Sequence, residues 1–127
     1  MPTFVERVRA WQQEAGIDAM HTTLIGFSQG AIMALESTQR SDEASLAGRV
    51  IAMAGRFAQP PRQAPKDTAV HLMHGEQDQV MPIQLAEEAE RQLAALGARP
   101  SLDRFPGLGH GIDHRVIEAI GLRMRAA

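Results

Sequence analysis

Gly26-Phe27-Ser28-Gln29-Gly30 has the form G-x-S-x-G, a spacing that suits a serine nucleophile. That chemistry needs a sharp strand-to-helix turn that projects the hydroxyl at the rim of a sheet, with small neighbours on either side. Alone the match is weak, because three fixed positions arise by chance in about one chain in 25 of this length. The flanks strengthen it. Thr22-Thr23-Leu24-Ile25-Gly26 leads in as a β-branched, apolar strand, and Gly30 to about Gln39 leads out as a helix rich in Ala, Met and Leu. The competing role for Ser28 is that of a helix N-cap.

A serine hydroxyl is a poor nucleophile at neutral pH and needs a positioned base. Five histidines compete for that role. His21 precedes the first strand, at the wrong end of a parallel sheet. His71 and His74 stand three apart on one strand, so their side chains point to opposite faces and cannot share a site. His114 falls within the last helix. His110 lies in Gly107-Leu108-Gly109-His110-Gly111, a glycine-rich loop able to fold an imidazole back over the sheet edge. His110 is therefore the expected base.

The imidazole in turn needs a carboxylate to fix its tautomer and stabilise the imidazolium. Asp78 follows the third strand in His74-Gly75-Glu76-Gln77-Asp78-Gln79-Val80-Met81-Pro82. Asp103 is mid-strand, Asp113 is better used as a helix cap, and Glu76 reads as a solvated turn residue. The expected set is Ser28, Asp78 and His110, in the chain order of α/β-hydrolases. Phe57, after the second strand, and Met81 are candidates to line an acyl pocket. A metal site built from His71, His74, Asp78 and His110 is disfavoured by the strand geometry.

These residues require elements that carry them to one sheet edge. The pattern predicts an amphipathic first helix, with Thr3 to Glu6 at capping-box spacing and Phe4, Val8, Trp11 and Ala15 at helical intervals before Gly16. Strands follow at Thr22–Gly26, Arg49–Gly55, Val70–His74 and Ser101–Phe105, the last polar enough for an edge. Polar residues Arg40 to Glu43 break the second helix. Pro82 opens a helix with Ala86, Ala89, Leu93 and Leu96 on its apolar face, and Asp113 caps one with Val116, Ile117, Ile120 and Met124. Alternation of strands and helices implies an α/β fold. Its mostly parallel sheet of about four strands is flanked by helices, with ligands at the carboxyl ends of the strands.

The 127 residues are one domain's worth, with 44% hydrophobic and 22% charged residues and a net charge of −2. That balance gives no reason to expect a nucleic-acid partner. The chain has no cysteine, which excludes disulfides, zinc–thiolate sites and a thiol nucleophile, and fits a cytoplasmic setting. Glu6, Arg7 and Arg9 interrupt any apolar run near the start, so neither a signal peptide nor a membrane span is expected.

Ile25-Gly26-Phe27-Ser28-Gln29-Gly30-Ala31, His74-Gly75-x-x-Asp78-x-Val80-x-Pro82 and Gly107-Leu108-Gly109-His110 together resemble the phospholipase/carboxylesterase family, which includes small bacterial esterases and acyl-protein thioesterases. The resemblance runs over nearly the whole chain. It implies hydrolysis of small-molecule carboxylic esters or thioesters through an acyl-enzyme, without metal or organic cofactor. It also implies that the Gln29 backbone N–H supplies one oxyanion-hole donor. Members of that family carry further strands ahead of the first helix here, so residues 1–127 are expected to form a single, N-terminally truncated α/β-hydrolase catalytic domain. The absent part would include the loop bearing the second oxyanion N–H, a loss of ~10²–10³ in rate. It would also leave the Thr22–Gly26 strand with an open edge, hence an expected self-association across that edge. A catalytically impaired remnant serving as a binding or association module is the alternative.

Overall fold

In the computed structural model, which describes residues 2–40 and 44–125, the chain forms a four-stranded, wholly parallel sheet in the order β1-β2-β3-β4. The strands are β1 (Thr23–Phe27), β2 (Arg49–Met53), β3 (Ala69–Gly75) and β4 (Ser101–Phe105). The helices are α1 (Pro2–Ala15), α2 (Gln29–Glu36), α3 (Ile83–Ala95) and α4 (His114–Arg125). The strands run parallel because each connection returns to the same end of the sheet before the next strand starts. All carboxyl ends therefore lie on one rim.

Alternation along the strands divides the core into two layers. Val50, Ala52, Val70 and Leu72 face α2 and α3, where they meet Ala31, Ala34, Leu35, Ala89 and Leu93. Ile51, Met53, Met73 and Phe105 face the other way and are covered by Val116, Ala119 and Ile120 of α4. β2 and β3 are nearly continuous apolar runs because both of their faces are buried, as a parallel sheet demands. Among the described residues β1 is an edge strand that pairs only with β2, and Ile25 is 47% exposed. β4 is the opposite edge, as its polar composition predicts.

Several local expectations shift. α1 begins at Pro2, so Thr3 lies within its first turn and does not cap it. Its contacts run through Arg9 to the Ala44 and Ser45 carbonyls and through Gln12 to the Leu46 carbonyl. Val8 is buried, whereas Trp11 lies off that line of contact and is 62% exposed. α2 starts one residue earlier than expected and stops at Glu36, followed by a tight 3₁₀ turn at Ser37–Gln39. The Ser37 and Thr38 hydroxyls donate to the Ala34 and Leu35 carbonyls, which competes with continuation of the helix. Of the polar break expected at Arg40 to Glu43, residues 41–43 lie outside the described residues.

On α4 the inward line is Val116, which is buried, with Ala119 and Ile120 partly buried beside it, while Ile117 and Met124 are exposed. That is the i, i+3, i+4 stripe, continued by Arg123, which makes a two-pronged ion pair with Asp103 on β4. On α3, Ile83, Ala86, Ala89 and Leu93 are buried, and Leu96 has moved outside the stripe.

Candidate active site

The site forms where three loops leave the same rim of the sheet. The first is the turn from β1 into α2. Ser28 occupies it with φ 56° and ψ −114°, a left-handed conformation costly for a residue with a Cβ. The surroundings hold it there: the Ser28 N–H donates to the Met53 carbonyl at the end of β2, and its carbonyl accepts from Ile32 N–H. The Ser28 side chain makes no capping bond to α2. Its hydroxyl points instead to His110, which answers the question of whether it serves as an N-cap.

Gly26 shows why the turn is so tight. A Cβ there would lie 2.4 Å from the Gly30 carbonyl oxygen, so only glycine lets α2 start this close to β1. A Cβ at Gly30 would meet nothing within 4 Å. The two glycines of the motif thus differ in kind. Gly26→Ala is expected to cost ~1–3 kcal/mol or more through backbone overlap. Gly30→Ala should be neutral or stabilising by up to ~1 kcal/mol, because alanine is the better helix former. Urea unfolding of both variants checks this; equal destabilisation would refute the distinction.

The second loop follows β3 and carries Asp78, whose side chain is fully enclosed. Its Oδ1 accepts from the N–H groups of Val80 at 2.9 Å and Met81 at 2.8 Å, which folds residues 78–81 into a turn and fixes the carboxylate. The third loop follows β4 and carries His110. The two loops are laced together: Glu76 N–H donates to the Phe105 carbonyl and Gln77 N–H to the Leu108 carbonyl. Gly75 permits this approach, since a Cβ there would sit 2.3 Å from the Leu108 oxygen.

His110 bridges the other two residues. Its Nδ1 lies 2.8 Å from Asp78 Oδ2 and its Nε2 lies 3.0 Å from Ser28 Oγ. The carboxylate can only accept, so Nδ1 carries the hydrogen and the Nε2 lone pair faces the serine hydroxyl. Phe27, the residue before Ser28, packs its ring 5.0 Å from the His110 ring and supports this orientation. Burial pushes the Asp78 carboxyl up, but the Met81 N–H, the His110 side chain and the Val80 N–H together hold it below the usual carboxylate range. Chemically, this arrangement can draw a proton from Ser28 and hold the resulting imidazolium against an ionised acid.

The competing residues are accounted for elsewhere. Asp113 caps α4 by accepting from the Arg115 and Val116 N–H groups, and Asp103 pairs with Arg123. His21 is exposed against Asp18, and His114 is exposed at the start of α4. His71 Nδ1 lies 2.6 Å from Ser101 Oγ, on the sheet face opposite His74. Hence His71 does not join His74, Asp78 and His110, and among the described residues no group of three or more His, Cys, Asp or Glu is arranged to hold an ion. Gln29 opens α2, where first-turn N–H groups have no partner within the helix.

The two pocket candidates differ in their surroundings. Phe57 is buried in the core layer with Ala31, Leu35 and Leu93. The cavity of about 180 Å³ that it borders, with Arg56, Leu85, Glu88 and Gln92, includes neither Ser28 nor His110. Met81 is half-buried and contributes its backbone on both sides, its N–H to Asp78 and its carbonyl to His74. Three supporting residues lie within the motifs, but residue type alone does not show what they do. Phe27 is a variable position of its motif, and His74 and Gly75 act through loops that approach only after folding.

A parallel sheet with this elbow, acid loop and histidine loop defines an α/β-hydrolase, and solved structures bear that out. Esterase PE8 superposes with a TM-score of 0.86 at 30% identity, covering 98% of this chain and 58% of that one. The phospholipase/carboxylesterase family model matches residues 1–124, and the chain belongs to that family. Esterase YpfH of Escherichia coli is 48% identical over 118 residues, which is 93% of this chain and 50% of the relative. Acyl-protein thioesterase 1 of Neurospora crassa is 30% identical over 115 residues, 84% of this chain and 46% of the relative. The chain thus spans about half the length of these relatives. No described helix is long and apolar enough to cross a membrane.

Proposed function

We propose that this chain carries the catalytic machinery of a carboxylesterase-type serine hydrolase acting on small carboxylic esters or thioesters. Ser28 Oγ attacks the acyl carbon while His110 Nε2 takes its proton. Asp78 holds the imidazolium through Nδ1–H and remains ionised. The tetrahedral intermediate collapses with loss of an alcohol or thiol, which receives the proton from His110 and leaves the acyl group on Ser28. Water, deprotonated by His110, then attacks the acyl-enzyme and releases the carboxylic acid and free Ser28. The Gln29 N–H, at the start of α2, donates to the developing oxyanion.

The observation that carries this reading is the pair of hydrogen bonds His110 makes to Ser28 and Asp78, together with the strained turn that presents Ser28. The names of the relatives support the substrate class, since both esterases and thioesterases transfer an acyl group to water. A fluorophosphonate probe tests it without requiring the natural substrate. The expected outcome is a single covalent adduct that peptide mapping places on Ser28. An adduct on any other residue, or none, would defeat the assignment.

A further inference from the structure

His74 is the penultimate residue of β3 and is only 2% exposed. An imidazole enclosed to this degree needs an acceptor for its N–H. Its Nε2 lies 2.6 Å from the Met81 carbonyl oxygen. A carbonyl can only accept, so Nε2 carries the hydrogen and donates it. The same nitrogen is 3.6 Å from Asp78 Oδ2, too long for a hydrogen bond.

Met81 is therefore gripped from two sides. Its N–H holds Asp78 Oδ1, and its carbonyl is held by His74. That carbonyl lies outside the ladder of α3, whose first turn is closed by Leu85 N–H on the Pro82 carbonyl. His74 supplies the donor that the helix does not. Because Oδ1 is occupied by the Val80 and Met81 amides, Oδ2 is the oxygen left to face His110, at 2.8 Å.

We infer that His74 is a positioning residue: by anchoring the Met81 carbonyl through Nε2–H, it locks the 78–81 turn that aims Asp78 Oδ2 at His110. The inference rests on the reading of Ser28, His110 and Asp78 as the reacting set. Without this donor the Met81 carbonyl must seek water, the turn loosens, and the carboxylate loses its fixed direction. Displacing a reacting group by about 1 Å can cost ~10²-fold in rate.

The experiment compares His74→Leu, which removes the donor, with His74→Gln, whose amide nitrogen can reach the place of Nε2 and donate. Three signals are followed on each chain: the low-field proton resonance of His110 Nδ1–H, hydrogen exchange at the Val80 and Met81 amides, and hydrolysis of p-nitrophenyl acetate. In His74→Leu we expect the resonance to broaden or vanish, the two amides to exchange at least ~10-fold faster, and kcat to fall ~10²-fold with KM little changed. His74→Gln should restore all three toward the parent. A His74→Leu protein that keeps the resonance and the amide protection overturns the inference. So does a His74→Gln protein as impaired as His74→Leu, because ring packing would then be what matters. If His74→Leu does not fold, His74→Gln decides alone, by keeping or losing the resonance. Loss of the serine reading would appear separately, as turnover that survives Ser28→Ala, and it would leave the resonance and exchange results intact.

Discussion

Ser28→Ala is expected to reduce p-nitrophenyl acetate hydrolysis to the uncatalysed background and to abolish fluorophosphonate labelling. Removing the nucleophile from a working serine triad costs on the order of 10⁶ in kcat, so little residual turnover should remain to measure. The substitution is a clean probe of the hydroxyl. Alanine keeps a Cβ and so inherits the strain of φ 56° at position 28, while the backbone bonds to Met53 and Ile32 need no side chain. Among the described residues the partner that Oγ loses is His110 Nε2, at a half-buried position where one such bond is worth about 1 kcal/mol. Unfolding should therefore change little while chemistry disappears. Turnover within tenfold of the parent, from a folded Ser28→Ala protein, would remove Ser28 from the mechanism.

How much of this is legible in the sequence depends on whether the deciding interaction is local. Ser28, Asp78 and His110 each sit where a strand ends, and a parallel sheet brings all strand ends to one rim, so residue type and position sufficed to nominate them. The Asp113 cap and the polar edge strand Ser101–Phe105 were legible for the same reason, because each rests on a few neighbouring residues. The packing of Phe57 against α2 and α3 is not legible in the sequence, because it is a long-range event that no local pattern records. Trp11 falls on an apolar period, yet α1 is held by the Arg9 and Gln12 side chains on the 44–46 segment, so tertiary contact overrode periodicity. Strand alternation puts His71 and His74 on opposite faces and says nothing of what else His74 meets. Its bond to Met81 arises only because Asp78 folds the following turn back over the strand end.

Asp78→Asn should lower kcat/KM by about 10⁴-fold while leaving the fold intact, because it changes which nitrogen of His110 carries the proton. In the parent, Oδ2 accepts from Nδ1–H and leaves Nε2 unprotonated toward Ser28. In the variant, the amide oxygen can keep the Oδ1 position, where Val80 and Met81 N–H groups already donate. The amide NH₂ then faces Nδ1, which must accept, so Nε2 takes the hydrogen and can no longer draw one from Ser28. The pH behaviour of the parent adds a second check. The Asp78 carboxyl titrates below its ordinary value of 3.8, so the native state binds this proton less readily than the unfolded chain. Its ionised form therefore contributes stability that is fully present above the ordinary value and is lost as pH falls through the lower native one. Asp78→Asn has no such proton to bind, and its stability should fall less steeply than the parent's below about pH 4. Steady-state kinetics at neutral pH and urea unfolding from pH 7 to pH 3 measure the two effects. A variant within tenfold of parental kcat/KM would show that His110 does not depend on Asp78 for its tautomer. An unchanged acid dependence of stability would show that the carboxylate is not held below its ordinary range.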